Sequence, residues 1–103
     1  MNSATALTAT EILLLLTKKK QSLASAYGLR EIGLFGSYAD GNASPESDID
    51  LLVDIDSGHK SLFSFIRLKH DLEELLGRKV DLVMKGALKP RLRERILSQV
   101  RYV

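Results

Sequence analysis

Two aspartates, Asp48 and Asp50, stand one residue apart at the head of the apolar run Leu51 to Ile55. In an extended strand, side chains two positions apart point to the same face, so both carboxylates would project together. Like charges placed side by side repel unless a cation lies between them. Proteins commonly hold Mg²⁺ through one or two carboxylates together with substrate phosphates. The pair therefore predicts a site for a divalent metal ion.

A turn of small residues lies shortly before this pair, where Gly36 and Ser37 follow the apolar run Ile32 to Phe35. Glycine lets a backbone approach a ligand closely, and the start of a helix presents unpaired N–H groups that favour an anion such as phosphate. A phosphate-binding turn near a two-carboxylate metal site predicts metal-assisted phosphoryl or nucleotidyl transfer.

These residues also resemble a known signature. Gly36-Ser37 followed by the stretch Ser47 to Val53 (SDIDLLV) is similar to the motif of the polymerase β-like nucleotidyltransferase superfamily. In particular it resembles the minimal nucleotidyltransferase (MNT) proteins, which are antitoxins of HEPN-domain toxins. The similarity continues through Val80 to Val83 (VDLV) and Ala87 to Pro90 (ALKP). Either half of the motif alone would be a weak signal, but both at this spacing are specific.

The resemblance implies a role for each matching residue. Gly36 and Ser37 would bind the triphosphate of ATP, and Asp48 and Asp50 would bind Mg²⁺. Asp81 would be the third carboxylate of the site, where it binds metal and helps to activate the attacking oxygen. The implied reaction transfers AMP from ATP to a hydroxyl, with a tyrosine of the HEPN toxin as the expected acceptor. An alternative stays open, in which a catalytically weak antitoxin neutralises its toxin by binding alone.

The implied fold is α+β, a small mixed sheet with helices packed on one face as in the polymerase β palm. The implied assembly is a hetero-oligomer with the HEPN toxin. One residue departs from the family pattern, since members often carry a basic residue where this chain has Asp40. A carboxylate at that position would not help to hold a triphosphate, so weaker ATP binding is expected.

The composition is that of an ordinary globular domain, and 103 residues suffice for one domain spanning residues 1–103. The absence of cysteine excludes disulfides and thiolate metal sites. The apolar run Ile12 to Leu16 is too short to cross a bilayer, and no basic region precedes it as in a signal peptide. We therefore expect a cytoplasmic protein that does not contact membranes.

Charge is distributed unevenly along the chain. Every charged residue between Gly36 and Asp56 is acidic, whereas those from Arg78 onward are mostly basic. This asymmetry suits a nucleoside triphosphate with its metal, but a solvated basic helix is equally consistent with it. The arginines near the end of the chain could contact phosphate or an acidic surface of a partner protein. The lysine triplet Lys18 to Lys20 is typical of a solvated face, so direct nucleic-acid binding is not expected.

Hydrophobic periodicity and turn residues predict alternating helices and strands. A capping box at Thr8 and Glu11 opens the first helix, and Gly28 ends it. The remaining predictions, in chain order, are a strand over Glu31–Phe35, a helical turn over Ser37–Gly41, a central strand over Ile49–Ile55, a helix over Ser61–Leu76 ended by Gly77, a strand over Lys79–Met84 that contains Asp81, and a last helix from Pro90. Leu62 and Ile66 are expected on the apolar side of the helix over Ser61–Leu76, and Leu92 on that of the last helix.

Other chemistries fail on spacing. The glycines near Gly36 lack the Gly-Lys-Ser/Thr ending of a P-loop, and an EF-hand beginning at Asp48 would need an oxygen ligand at Leu52. His59 and His70 have no partner at zinc-ligand spacing, so we interpret both as ordinary polar residues. A small-molecule transferase, such as one that modifies an aminoglycoside, is a weaker alternative because the chain is too short for an added substrate domain.

Overall fold

Four strands form one mixed sheet in the computed structural model, which describes residues 7–59 and 61–103. The elements are α1 (Ala9–Tyr27), β1 (Leu29–Phe35), α2 (Gly36–Asp40), β2 (Ile49–Ile55), α3 (Leu62–Leu76), β3 (Val80–Met84), α4 (Pro90–Gln99) and β4 (Arg101–Tyr102). The strand order across the sheet is β3-β2-β1-β4. The predicted α+β fold is confirmed, and so is the interior position of β2.

The first helix begins and ends as its sequence predicts. Thr8 accepts a hydrogen bond from the Glu11 amide at 3.1 Å, and Glu11 accepts one from the Thr8 amide at 2.8 Å. Gly28 and Gly77 follow α1 and α3 in the left-handed conformation, which glycine adopts without steric cost. Within the described ranges, no helix is long and apolar enough to cross a bilayer. The expectation that no signal peptide is present concerns the first residues of the chain, and residues 1–6 lie outside those ranges.

The register of the strands decides which side chains share a face. β2 runs antiparallel to β1 and parallel to β3, and it places Asp50 opposite both Phe35 and Asp81. β1 is two residues longer than predicted because Leu29 is buried and pairs with Ile55. The short β4 was not predicted as a strand, since two residues carry no detectable period.

The core lies between one face of the sheet and the helices α1 and α3. Both helices and the sheet contribute fully buried residues, which are Ile12 and Leu16 from α1, Leu68 and Leu72 from α3, and Ile32, Leu34, Ile49, Leu51 and Val53 from the sheet. Because side chains alternate along a strand, Asp50 and Leu52 point to the opposite face. We call that opposite face, which bears Asp50, Asp81, Leu52 and Gly33, the carboxylate face.

Two apolar residues of α3 were wrongly predicted to face the core. Leu62 is 74% exposed and Ile66 is 43% exposed, while their neighbour Phe63 is 83% exposed. The helix buries a narrower stripe than its composition predicts, consisting of Leu68, Leu72 and Leu76. The first turn of α3 therefore presents apolar side chains to solvent.

The last helix crosses to the carboxylate face. None of its residues is fully buried, and Leu92, predicted on its apolar side, is 47% exposed. Its end is fixed by Val100, whose Cγ2 would lie 2.6 Å from a Cβ added at Gly33. Gly33 therefore permits a close approach that a larger residue would prevent. The same helix also contacts α2.

Candidate active site

Asp50 and Asp81 form the centre of the site. They are direct register partners on β2 and β3, so their side chains leave the carboxylate face next to each other. Burial raises the pKa of the Asp50 carboxyl group to about 6, and the charge and hydrogen bonding of Asp81 add to this effect. Asp50 is half-buried. A half-buried carboxyl group beside a like charge is the arrangement that a bound cation relieves.

Asp48 stands at the margin of this pair. Asp48 and Asp50 were expected to project together as in an extended strand, but Asp48 directly precedes β2, which begins at Ile49 as predicted, and Asp48 is exposed. Its charge is the weakest of the causes that raise the pKa of Asp50. Between residues 7 and 103, Lys60 apart, no three His, Cys, Asp or Glu side chains are arranged as a ready-formed metal cluster. The structure thus brings Asp50 and Asp81 together most closely.

Gly36 is held against the carboxylate of Asp50. Its φ of +75° lies in the left-handed region, and a Cβ at this position would overlap Oδ2 of Asp50. Both facts require glycine here, because a side chain would be strained and would also displace the carboxylate. The sequence suggested that this glycine approaches a ligand, whereas the structure shows that it also leaves room for Asp50.

The helical turn that begins at Gly36 presents its first amides without a side-chain cap. The residue at the cap position is Phe35, whose side chain cannot accept a hydrogen bond, and Ser37 is the second residue of α2 rather than its cap. Tyr38 anchors the turn in the core at 2% exposure. Such uncapped amides can bind phosphate oxygens, so Gly36 and Ser37 remain the candidate phosphate-binding residues.

The donor set fits a hard divalent cation. Asp48, Asp50 and Asp81 offer only carboxylate oxygens, which Mg²⁺ prefers over nitrogen or sulfur ligands. Burial and the neighbouring carboxylates of Asp81 and Asp48 raise the pKa of Asp50, and a bound cation would offset these effects. These residues could therefore hold Mg²⁺ beside the amides of α2.

A second cluster of polar side chains lies on the carboxylate face and was not predicted from the sequence. Lys85 donates a hydrogen bond of 2.9 Å to Glu31 and lies 5.5 Å from the ring centre of Tyr102. The hydrogen bond with Glu31 is the main cause of the raised pKa of Lys85. Because these residues are far apart in sequence, no local pattern could have shown this cluster. His59, by contrast, lies 3.7 Å from Asp56 in a turn.

The family model described as "Nucleotidyltransferase domain" matches residues 16–103, which include Gly36, Asp48, Asp50 and Asp81. The chain belongs to the nucleotidyltransferase domain family. This nucleotidyltransferase is 48% identical over 97 residues to the protein adenylyltransferase MntA of Thermococcus cleftensis, an alignment that covers 94% of this chain and 97% of that protein. The chain is thus a homologue of MntA, as the resemblance to MNT proteins predicts.

Solved structures give the same assignment for this nucleotidyltransferase. A minimal nucleotidyltransferase superposes with a TM-score of 0.75 at 36% identity, covering 97% of this chain and 98% of that one. The MNT antitoxin bound to the tri-AMPylated HEPN toxin of Shewanella oneidensis superposes with a TM-score of 0.63 at 26% identity. That match covers 88% of this chain and 70% of the other.

Proposed function

We propose that this chain is an antitoxin that transfers AMP from ATP to a hydroxyl group of a HEPN-domain toxin and thereby silences it. The paired carboxylates of Asp50 and Asp81, placed beside the uncapped turn at Gly36, carry this proposal. The similarity to MntA and to an MNT antitoxin complexed with an AMPylated toxin supports the choice of acceptor. A tyrosine side chain is the expected source of the hydroxyl.

The residues of the site divide the chemistry between them. The amides at Gly36 and Ser37 orient the triphosphate, and Asp48, Asp50 and Asp81 would hold Mg²⁺, which neutralises phosphate charge when bound. Asp81 accepts the proton of the attacking hydroxyl. The hydroxyl oxygen forms a bond to the α-phosphorus, the bond from that phosphorus to the bridging oxygen breaks, and pyrophosphate leaves. Catalysis then consists mainly of positioning and charge neutralisation.

The open carboxylate face explains why a partner is needed. Asp48 is exposed and Asp50 is only half-buried, so the described part of the chain leaves the acceptor side of the site accessible to water. An acceptor protein that covers this side would exclude water and supply the missing walls. We therefore expect AMP transfer only in a complex with the partner.

A binding-only antitoxin remains the alternative, and the apolar side chains on α3 favour it. Leu62 and Phe63 are exposed. They follow the end of β2 that is remote from Asp50, so a partner could dock there without reaching the carboxylates. In that case the protein would neutralise its toxin by covering it.

A double variant separates the two functions. We would purify the chain with a HEPN-domain toxin and compare it with Asp48→Asn/Asp50→Asn. If AMP transfer silences the toxin, the variant still binds the toxin but leaves its RNase activity intact. Full neutralisation by a variant that forms the complex normally would show that binding alone suffices. Asp54→Asn, on the same strand, is the matched control.

A further inference from the structure

Lys89, just before α4, and the arginines of α4, which are Arg91, Arg93 and Arg95, form no ion pair with any carboxylate of residues 7–59 and 61–103. The remaining residues, 1–6 and Lys60, contain no acidic side chain. These positive charges therefore form no ion pairs that stabilise the fold, and they are available to a ligand.

One side of α4 faces the carboxylate face. The half-buried residues at the end of the helix are Ile96, Leu97, Gln99 and Val100, and Val100 packs against Gly33 on that face. Arg93 precedes Ile96, Leu97 and Val100 by three, four and seven positions, so it lies on the same side of the helix as these three apolar residues. Arg95 is two positions further on, so it lies on the side of Gln99, about 200° around the helix from Arg93.

The site itself lacks positive charge for a triphosphate. The segment from Gly36 to Asp56 contains six carboxylates and no lysine or arginine. Lys85, on the same face, is already paired with Glu31. A nucleoside triphosphate carries several negative charges, and its terminal phosphates leave as pyrophosphate. Neighbouring elements can supply positive charge. Arg78 donates to the carbonyl of Pro45, the carbonyl of Lys79 accepts the amide hydrogen bond of Ile49, and α4 contacts α2, where the phosphate-binding turn lies.

We propose that Arg93 binds the β- and γ-phosphates of ATP and so positions the departing pyrophosphate. This inference rests on the proposed function, because it assumes that the nucleotide lies between α2 and α4. The planar guanidinium group can donate two parallel hydrogen bonds to phosphate oxygens, which a lysine cannot reproduce. Arg93 is exposed in the described structure, so its head group is free to reach a bound nucleotide.

Binding measurements on the isolated protein test this role without relying on turnover. Isothermal titration would give dissociation constants for α,β-methylene-ATP and for AMP, each with Mg²⁺, for the wild type, Arg93→Ala, Arg93→Lys and Arg95→Ala. Loss of a charged hydrogen-bonding group predicts that Arg93→Ala weakens binding of the triphosphate by about tenfold or more. Binding of AMP, which lacks the β- and γ-phosphates, should change less than about twofold, and Arg93→Lys should recover part of the loss.

The matched variant Arg95→Ala distinguishes a specific phosphate contact from a general electrostatic effect of positive charge on α4. Arg95→Ala removes the same charge from the other side of α4, so it should change each dissociation constant less than about twofold. Equal weakening of both nucleotides by Arg93→Ala, no weakening of the triphosphate, or an equal effect of Arg95→Ala would overturn the assignment. Weaker binding of the toxin with unchanged nucleotide binding would also overturn it and would assign the helix to the partner.

The outcome is separable from that of the proposed function. AMP transfer to the toxin by the wild type is measured on the same preparation. If AMP transfer occurs but nucleotide affinity is the same in Arg93→Ala, the role assigned to Arg93 is wrong and the proposed function is supported. If binding depends on Arg93 but no AMP is transferred, the function fails while the triphosphate contact stands.

Discussion

Replacing Asp50 by asparagine should stabilise the fold while it removes a ligand of the proposed metal. The pKa of Asp50 is about 6 in the folded chain against 3.8 for the ordinary side chain. Because the folded state binds the proton more tightly than the unfolded state, ionisation of Asp50 costs stability. This cost is absent below pH 3.8, develops as the pH rises towards 6, and is complete above about pH 6.

The magnitude follows from the same values. At about 1.4 kcal/mol per pKa unit, the difference between 6 and 3.8 sets an upper limit of about 3 kcal/mol. Asp50 is only half-buried, so solvent screening reduces the expected gain of Asp50→Asn to about 1 kcal/mol at pH 7. Asparagine has nearly the same shape and can donate an N–H to the carboxylate of Asp81, as the protonated carboxyl group does.

Urea denaturation between pH 4 and 8, in buffer with chelator and followed by circular dichroism, measures this difference. The free energy of unfolding of Asp50→Asn should equal that of the wild type near pH 4 and exceed it above pH 6. Asp54→Asn is the control, because Asp54 lies on the same strand but 4.0 Å from Arg30, so its replacement should bring no gain. A pH-independent difference, or a less stable Asp50→Asn at pH 7, would refute the electrostatic reasoning.

Three further changes test other parts of the site. Gly36→Ala should cost about 1–3 kcal/mol of stability in urea denaturation from its positive φ alone, and it should weaken nucleotide binding because Asp50 must move; unchanged stability and binding would contradict the close contact. Asp40→Arg should tighten ATP binding by about threefold or more in isothermal titration, because a cation replaces a carboxylate near the phosphate-binding turn. Asp40→Asn is the control, and an unchanged affinity of Asp40→Arg would exclude a contact between residue 40 and the triphosphate. Tyr38→Phe should raise stability by about 1 kcal/mol, because the hydroxyl is buried without a hydrogen-bond partner in the described residues; a loss of stability would show that a bound water or another group satisfies it.

Local chemistry made much of the fold predictable. The capping box at Thr8, the helix-ending Gly28 and Gly77, and the apolar run of β2 each act through near neighbours, and the structure bears them out. The short β4 was missed because its two residues gain their pairing only from β1. Exposure of Leu62 could not be foreseen either, since periodicity shows where a helix is apolar but not how far its neighbours extend.

The site divides in the same way. The family resemblance predicted Asp48, Asp50, Asp81 and the turn at Gly36, and the register of β2 and β3 adds that Asp50 lies directly opposite Asp81. The contact between Gly36 and Asp50 joins α2 to β2 and has no signature in the sequence. The packing of Val100 against Gly33 defines which side of α4 faces the sheet, and hence the side on which Arg93 lies.

Intact-mass spectrometry tests the central claim most directly. The protein would be incubated with Mg²⁺, ATP and a HEPN-domain toxin as its partner, in parallel with the Asp48→Asn/Asp50→Asn variant. We expect one or more AMP-sized adducts on the partner with the wild-type chain and none with the variant. A stable complex of the wild-type chain with a partner that gains no adduct would contradict AMP transfer and leave binding as the mode of neutralisation.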